Sequence, residues 1–451
     1  MIPKSQLAEL GLFDAKVPRY TSYPTAPQFS NDVGPDKFAT WISQIPEGSA
    51  ISLYVHVPFC RRLCWFCACR TQGTQNMSPV FAYLETLKSE LRLLKRHLPR
   101  GVTLSRLHWG GGTPTLLTAS MIADLAGAIS DVAPFAPDAE FSVEIDPNEL
   151  DAARLDALVA AGMNRASIGV QDFDDTIQQT IGRIQGYDVT REAVEMIRDR
   201  GISSLNADIL FGLPHQTQAR MTESVQKLLS LTPDRVALYG YAHVPWMAKR
   251  QQLIPSKALP TPQERLALFE TARNLFLWDH YHEIGIDHFA TKQDGLTRAQ
   301  QLGRLRRNFQ GYTDDTSNVL IGVGASSISR FPQGFAQNAP ATSAHSGKIR
   351  DGAFSTSRGH QFTGQDAMRA RMIESLMCDF RIDGDEIIRA FGAAQADLDE
   401  MYDKAQREFP GILIVAGNAL FIPQDARSLT RMIARSFDAY DLSKAGHSSA
   451  I

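Results

Sequence analysis

"AISLYVHVPFCRRLCWFCAC", residues 50–69, joins a strand-like run to a loop that holds four of the five cysteines in the chain. In an extended strand, side chains alternate between two faces, so Tyr54 and His56 share one face. They read either as polar groups at a site or as a half-buried aromatic beside a satisfied histidine. The cysteines admit three readings. They are disulfide partners, zinc ligands or ligands of an iron–sulfur cluster.

The rest of the chain sets the strand in a rhythm. "SPVFAYLETLKSELRLLKRHL" (78–98) repeats Val80, Leu84, Leu87, Leu91, Leu94 and Leu98 at three- and four-residue steps, the apolar face of a helix. Strand-like runs at 104–110, 139–146, 164–171, 204–212 and 234–245 alternate with helical stretches at 118–132, 149–162, up to about 200, and 217–230. Six strand–helix units in succession predict parallel strands with right-handed crossovers. "EIGIDHFA" and "VLIGVGASSIS" also read as strands, so a full eight-unit barrel is a second expectation. In a full or a partial barrel, chemistry gathers where the strands end, and the cysteines follow the end of the first strand. Residues 1–49 lie outside the rhythm and contain an extended, Pro- and Tyr-rich arm, "VPRYTSYPTAPQF" (17–29). Residues 50–351 form the predicted barrel and its extension. Residues 352–451 change character again and predict a small helical domain with a hairpin at 412–423 around Gly417 and Asn418. The tail 442–451 is expected to fray.

The chain has 451 residues, 43% of them apolar and 21% charged, which suits a globular enzyme with a full core. A net charge of −3 gives no basic excess for nucleic acid or an anionic membrane. The first sixteen residues have no signal-peptide core, and no run reaches the ~18 apolar residues of a membrane span. The expected place is the cytoplasm, where disulfides are rare and neighbouring thiols more often bind metal or carry redox chemistry.

Three residues separate Cys60 from Cys64, and two separate Cys64 from Cys67. Structural zinc sites usually pair their ligands in two short knuckles, and there is no second knuckle here. Three sulfurs on one loop can hold three corners of a cubane and leave one iron open. The pattern Cys-x-x-x-Cys-x-Phe-Cys resembles the radical S-adenosylmethionine (SAM) superfamily. Further blocks come in one order: "PRYTSYPTA" (18–26), "HWGGGTPT" (108–115), "VEIDP" (143–147), "GVQDF" (169–173), "DILFGLP" (208–214), "GYAHVP" (240–245), "GIDHFA" (285–290) and "RNFQGYT" (307–313). Together they resemble the oxygen-independent coproporphyrinogen III oxidase family of bacterial haem synthesis.

That resemblance implies a partial (β/α) barrel with an N-terminal arm and a small, mainly helical C-terminal domain. It implies a [4Fe–4S] cluster on Cys60, Cys64 and Cys67, with SAM on the open iron and two SAM used per turnover. Tyr54, Phe66, Gly111, Gly112, Thr113, Glu144, Gln171, Arg183, Asp208, Ala242 and Ile328 match the family's SAM contacts. Tyr54, His56, Cys69 and Arg19 match positions tied to its activity. Read without the family, each has a plainer meaning. The glycines make a tight turn, though they also let backbone N–H groups approach a ligand. Glu144 and Asp208 are caps or ion-pair partners. Arg183 suits bidentate pairing with a carboxylate, and it follows Gly182 where many members have Asn. Phe66, Ala242 and Ile328 are core. Cys69 is a spare thiol, and Cys378 is core.

The implied reaction converts two propionates of coproporphyrinogen III to vinyl groups, giving protoporphyrinogen IX. Arg19, and Arg306 or Arg307, are candidates to bind the substrate's carboxylates, with surface solvation as the alternative. The implied partner is an electron donor such as flavodoxin or ferredoxin. No nucleic acid and no membrane insertion are expected, and the chain is expected to act as a monomer. A haem-transferring chaperone is the second functional reading. That relative typically lacks the "PRYTSYPTA" arm and the fourth cysteine, and this chain has both.

Overall fold

The computed structural model describes residues 2–441 and 446–451. Its centre is one sheet whose first six strands run parallel and in chain order: β1 (Ala50–Val57), β2 (Thr103–Gly111), β3 (Phe135–Ile145), β4 (Arg165–Gln171), β5 (Ser204–Phe211) and β6 (Arg235–Gly240). Helices at Ser78–His97, Ala119–Ser130, Ala152–Ala160, Tyr187–Asp199 and Gln218–Ser230 cover the outer face. β6 stops at Gly240, five residues before its expected end, and the chain continues without regular structure towards Pro245.

The sheet does not close into eight units. "EIGIDHFA" is a hairpin, β7 (His282–Ile284) and β8 (His288–Ala290), laid antiparallel on β6. "VLIGVGASSIS" splits into β9 (Leu320–Val323), parallel to β1, and β10 (Ile328–Phe331), which turns back antiparallel. β11 (Gly334–Asn338) and β12 (Thr356–Gln361) extend that edge. Antiparallel edges need only short turns, whereas each further parallel strand needs a covering helix. The result is a curled, open barrel with a wide mouth.

The strand pleat sorts the residues. Leu53, Val55, Leu107, Trp109, Phe141 and Val143 point outward and pack under Leu84, Leu87, Leu91 and Leu125 of the helices. The opposite parity fills the lumen with polar groups: Ser52, Tyr54 and His56 of β1, Arg106 and His108 of β2, Glu140, Ser142 and Glu144 of β3. Parallel strands are usually apolar on both faces, so a polar inner face marks a working interior. Its floor is a set of ion pairs. Arg235 donates to Asp294 at 2.7 Å, with side chains 7% and 3% exposed. Arg106 meets Asp314 at 2.9 Å and Arg165 meets Glu140 at 3.3 Å. Burial alone would raise the Glu140 carboxyl, but Arg165, Arg235 and Arg106 hold it down at about 2.

Residues 1–49 divide between two cores. Phe38, Trp41 and Ile42 of the helix Pro35–Ser43 belong to the barrel core. Leu7, Leu12, Phe13, Val17, Tyr20 and Tyr23 pack with the C-terminal helices Asp366–Asp379, Gln395–Glu408 and Thr430–Arg435. The hairpin expected at 412–423 turns at Gly417 and Asn418, pairing Ile414–Ala416 with Ala419–Phe421. The expectation of a frayed tail fails for residues 446–451, and its part at 442–445 lies outside the described residues. Ser449 pairs with Lys16, Ala450 is buried, and Arg431 donates to the carbonyls of Ser449 and Ala450.

Asp294→Asn leaves Arg235 buried without its counter-charge. It should cost about 3–5 kcal/mol, read as a lower denaturant midpoint. Glu195→Gln, which breaks the exposed Arg191–Glu195 pair, should leave the midpoint in place.

Candidate active site

The strands end around one cavity of about 1370 Å³. Pockets for a single drug-sized ligand run to ~1,000 Å³, so this one has room for more than one ligand. Arg19, Tyr54, His56, Phe66, Cys67, Cys69, Gly111, Glu144, Asp208, Ala242 and Ile328 all line it. Cys60, Cys64, Gly112, Thr113, Gln171 and Arg183 are not among the residues that line it.

The cysteine loop leaves β1 and is fastened on three sides. Gln72 N–H donates to Pro58 O, and Thr74 N–H to Cys60 O. Trp65 N–H donates to Ile181 O, and its ring lies on Gly182, where a Cβ would come within 2.8 Å of the indole. Gly182 caps its helix at φ 67°, and the Trp65 ring explains why no side chain stands there. Buried Gln251 donates to both Phe66 O and Ala242 O and accepts from Val244 N–H. One amide thus ties the loop to the exit of β6.

All five cysteines are free. Burial raises Cys60 to about 11 and also raises Cys64, which the adjacent Arg183 partly offsets. The Cys69 thiol and N–H hold Cys67 down at about 6. Arg183 approaches Cys64 Sγ at 3.6 Å and donates to Gly169 O and Gln185 Oε1. Among the described residues the carboxylate in contact with it is Asp146, at 3.6 Å through one nitrogen, so no bidentate pair forms within the protein. Its Nε is buried and unpartnered. Three soft donors on one loop with cations beside them suit an iron–sulfur cluster. Among the described residues no group of three or more His, Cys, Asp or Glu side chains is arranged for a single metal ion. The ligands of a cubane each meet a different iron, so they need no such convergence.

Tyr54 donates to His56 Nδ1 at 2.9 Å, and His56 Nε2 donates to Arg70 O at 3.1 Å. Both ring nitrogens are thereby assigned in the neutral form, and burial lowers the His56 pKa further. Tyr54 stacks on His108, their ring centres 5.8 Å apart. His108 contacts Ser142 Oγ and lies 3.3 Å from Glu144 Oε1. Glu144 also accepts Gly111 N–H at 3.0 Å. Burial favours its neutral form, but His108 and this N–H outweigh it and lower the pKa. Asp208 has weaker support, one hydrogen bond from Asn206, and burial raises it to about 7. Two inward carboxylates therefore differ at neutral pH: Glu144 is ionised, and Asp208 shares its time between forms.

The glycine turn differs from its expected use. Gly111 N–H goes to Glu144, Gly112 N–H to Val57 O and Thr113 N–H to Phe59 O. A Cβ on Gly110 would come within 2.5 Å of Glu144, and one on Gly111 would collide with His56. These glycines serve close packing within the protein. Gln171 ends β4 at φ 70° and folds over Gly169 beside Arg183.

Sequence reasoning passed over His108, Gln251, Tyr239, Asp287 and His288. His108 was findable, since it shares Tyr54's face in the strand register. The others depend on contacts across long chain separations.

Residues 54–228 match the profile described as the Radical SAM superfamily. An oxygen-independent coproporphyrinogen III oxidase from Paracoccus denitrificans is 65% identical over all of both chains. The chain belongs to the oxygen-independent coproporphyrinogen III oxidase family. Another family member, from Escherichia coli K12, is 36% identical over 97% of this chain and 96% of its own. A solved Escherichia coli coproporphyrinogen III oxidase, described as a radical SAM enzyme, superposes with a TM-score of 0.89 at 34% identity. It covers 95% of this chain and 100% of its own.

Asp208 gives the site a pH signature. Between about pH 4 and pH 7, the folded state keeps a proton that the unfolded state releases, so stability falls as pH rises and levels off above 7. Asp208→Asn should remove this effect. Without cofactors, its unfolding free energy should exceed that of the unaltered protein by a gap that grows from pH 4 to pH 8, on the order of 4 kcal/mol at the top, read from denaturant midpoints. A gap that shrinks with pH would contradict the assignment.

Proposed function

We propose that the chain catalyses the oxygen-independent oxidative decarboxylation of coproporphyrinogen III, converting two propionates to vinyl groups and giving protoporphyrinogen IX. One observation carries this reading: a single large cavity joins a three-cysteine loop to a wall rich in arginine. When bound, the [4Fe–4S] cluster and SAM supply a one-electron cleavage that yields methionine and a 5′-deoxyadenosyl radical, able to take hydrogen from an unactivated carbon.

The chain's residues provide the setting. Cys60, Cys64 and Cys67 would hold the cluster, with Arg183 offsetting their charge. Ionised Glu144 and half-protonated Asp208 would take hydrogen bonds with ribose hydroxyls. Tyr54, Phe66, Ala242 and Ile328 would frame SAM from the cavity side, while Gly111, Gly112, Thr113 and Gln171 would set the backbone around it. The neutral Tyr54–His56 pair and Cys69 would face the reacting carbon, and Arg19 a substrate carboxylate. Residues 50–351 form the catalytic unit, with the arm at 1–49 and residues 352–451 over its mouth; this enclosure keeps water from the radical.

Each propionate loses one hydrogen atom, CO2 and one electron, so two SAM serve each substrate. An electron donor such as flavodoxin or ferredoxin would supply the reducing electron. The setting is cytoplasmic and the working form a monomer. Five unpaired cysteines support the first, since disulfides are rare in that compartment; no helix among the described residues is long and apolar enough to cross a membrane.

The test is an anaerobic assay with coproporphyrinogen III, SAM and a reductant. A monovinyl intermediate should precede the divinyl product, with methionine approaching two per completed product after uncoupled cleavage is subtracted. No vinyl product would refute the reading, and a ratio near one at full conversion would refute the two-SAM mechanism. Reconstitution should give about four irons per chain. Cys60→Ala, Cys64→Ala or Cys67→Ala should abolish the cluster, while Cys69→Ala keeps it.

A further inference from the structure

The charged groups around the cavity follow two patterns. On the floor every arginine has a carboxylate: Arg235 with Asp294, Arg165 with Glu140, Arg106 with Asp314. The wall built from the arm, the exits of β5 and β6, the helix Pro262–Trp278, the hairpin at 306–313 and the C-terminal domain differs, apart from Arg273 and Arg427, which share Glu283. There Arg19, Arg265, Arg307 and Arg431 line the cavity, with Asp287 as the carboxylate that faces Arg19, Arg307 and Arg431. Asp287 also accepts from His288 at 2.7 Å.

Three of the four donate mainly to carbonyl oxygens. Arg19 donates to Gly240 O at 2.6 Å, Arg265 to Tyr241 O and Ile451 O, and Arg431 to Val17 O, Pro18 O, Ser449 O and Ala450 O. Carbonyls satisfy N–H groups but bring no counter-charge. Burial and mutual repulsion lower Arg265 to about 10 and Arg431 to about 9.

Arg307 stands apart. It sits on the hairpin Arg306–Asn308/Gly311–Thr313, with its guanidinium 4.5 Å above the Tyr312 ring. It is 8% exposed, its Nη1 is 3.7 Å from Asp287, and its Nε and Nη1 have no hydrogen-bond partner. A buried charge with unfilled donors costs several kcal/mol unless something pairs with it. Nε and Nη1 are closed off from the cavity, so the edge left to meet a ligand carboxylate is at Nη2 of this cavity-lining guanidinium. Arg306 does not line the cavity.

We propose that Arg19 and Arg307 form a carboxylate receptor for the two propionates that the reaction leaves intact, with Arg265 and Arg431 completing the positive wall. This rests on the functional reading above. The substrate carries four carboxylates and the product two. The wall's hydrogen bonds run to β5, β6, the arm and the tail rather than to the cysteine loop, so the retained pair belongs on this side. The receptor does not distinguish substrate from product, and the reacting end must.

The test titrates reconstituted full-length protein with coproporphyrin III and protoporphyrin IX, the stable oxidised forms of substrate and product, followed by fluorescence. Coproporphyrin III tetramethyl ester is the uncharged control. Both free acids should bind within a few-fold of each other, and the ester at least tenfold more weakly. Arg307→Gln and Arg19→Gln should each weaken both acids at least tenfold and leave ester binding unchanged. Arg307→Lys should recover part of the loss. The melting temperature of the ligand-free Arg307→Gln protein should change little, because Asp287 keeps His288 at 2.7 Å and Arg19 as partners. Ester binding as tight as the acid, or acid binding by both Gln variants within twofold of the unaltered protein, would overturn the receptor. So would a melting temperature that falls in step with affinity in both variants, which would assign the arginines to folding. Failure of the unaltered protein to form vinyl product would instead overturn the functional reading, whatever these titrations give.

Discussion

Polar side chains that point into a parallel sheet must find partners on neighbouring strands, and that constraint organises this molecule. Tyr54 stacks on His108, His108 reaches Glu144, and Glu144 takes the N–H of Gly111 back on β2. Each link spans a strand boundary, so each fixes a register as well as a side chain. A slip of one residue on β1 would bring Leu53 and Val55 into the lumen and push Tyr54 and His56 under the helices. The same contacts therefore stabilise the sheet and shape the site.

Much of this was legible in the sequence because it is periodic or local. Alternation in β1 placed Tyr54 and His56 on one face, and the spacing of Cys60, Cys64 and Cys67 needed no tertiary information. The six parallel strands followed from their regular succession. The edges did not, because β7 and β8 are three residues each and too short to show a period. The use of the glycine turn was hidden for another reason. A glycine signals close approach without naming what approaches, and here the neighbours are Glu144 and His56. The choice between Arg306 and Arg307 required the hairpin register, and Gln251 joins the cysteine loop across 185 residues.

The cysteine loop lies outside regular structure, yet little in it is loose. Strand β1 holds its start, the Trp65 ring on Gly182 holds its middle, and Gln251 holds Phe66. These anchors come from β1, the C-cap of the helix Asp175–Ile181 that follows β4, and the exit of β6, so the loop's position depends on three separate parts of the barrel. Rigid support of this kind is what a precisely placed reactive group requires.

The shared core of the two chain ends has a consequence in time. Leu7 to Tyr23 pack against helices that begin at Asp366 and end at Arg435. During synthesis at ~5–20 residues per second, the arm waits roughly half a minute for its partners. The barrel, whose strands β1 to β6 are complete by residue 240, can form in that interval with its mouth uncovered. The order of synthesis therefore places the strands and the cysteine loop in the chain before the helices that the arm packs against. The cover arrives last.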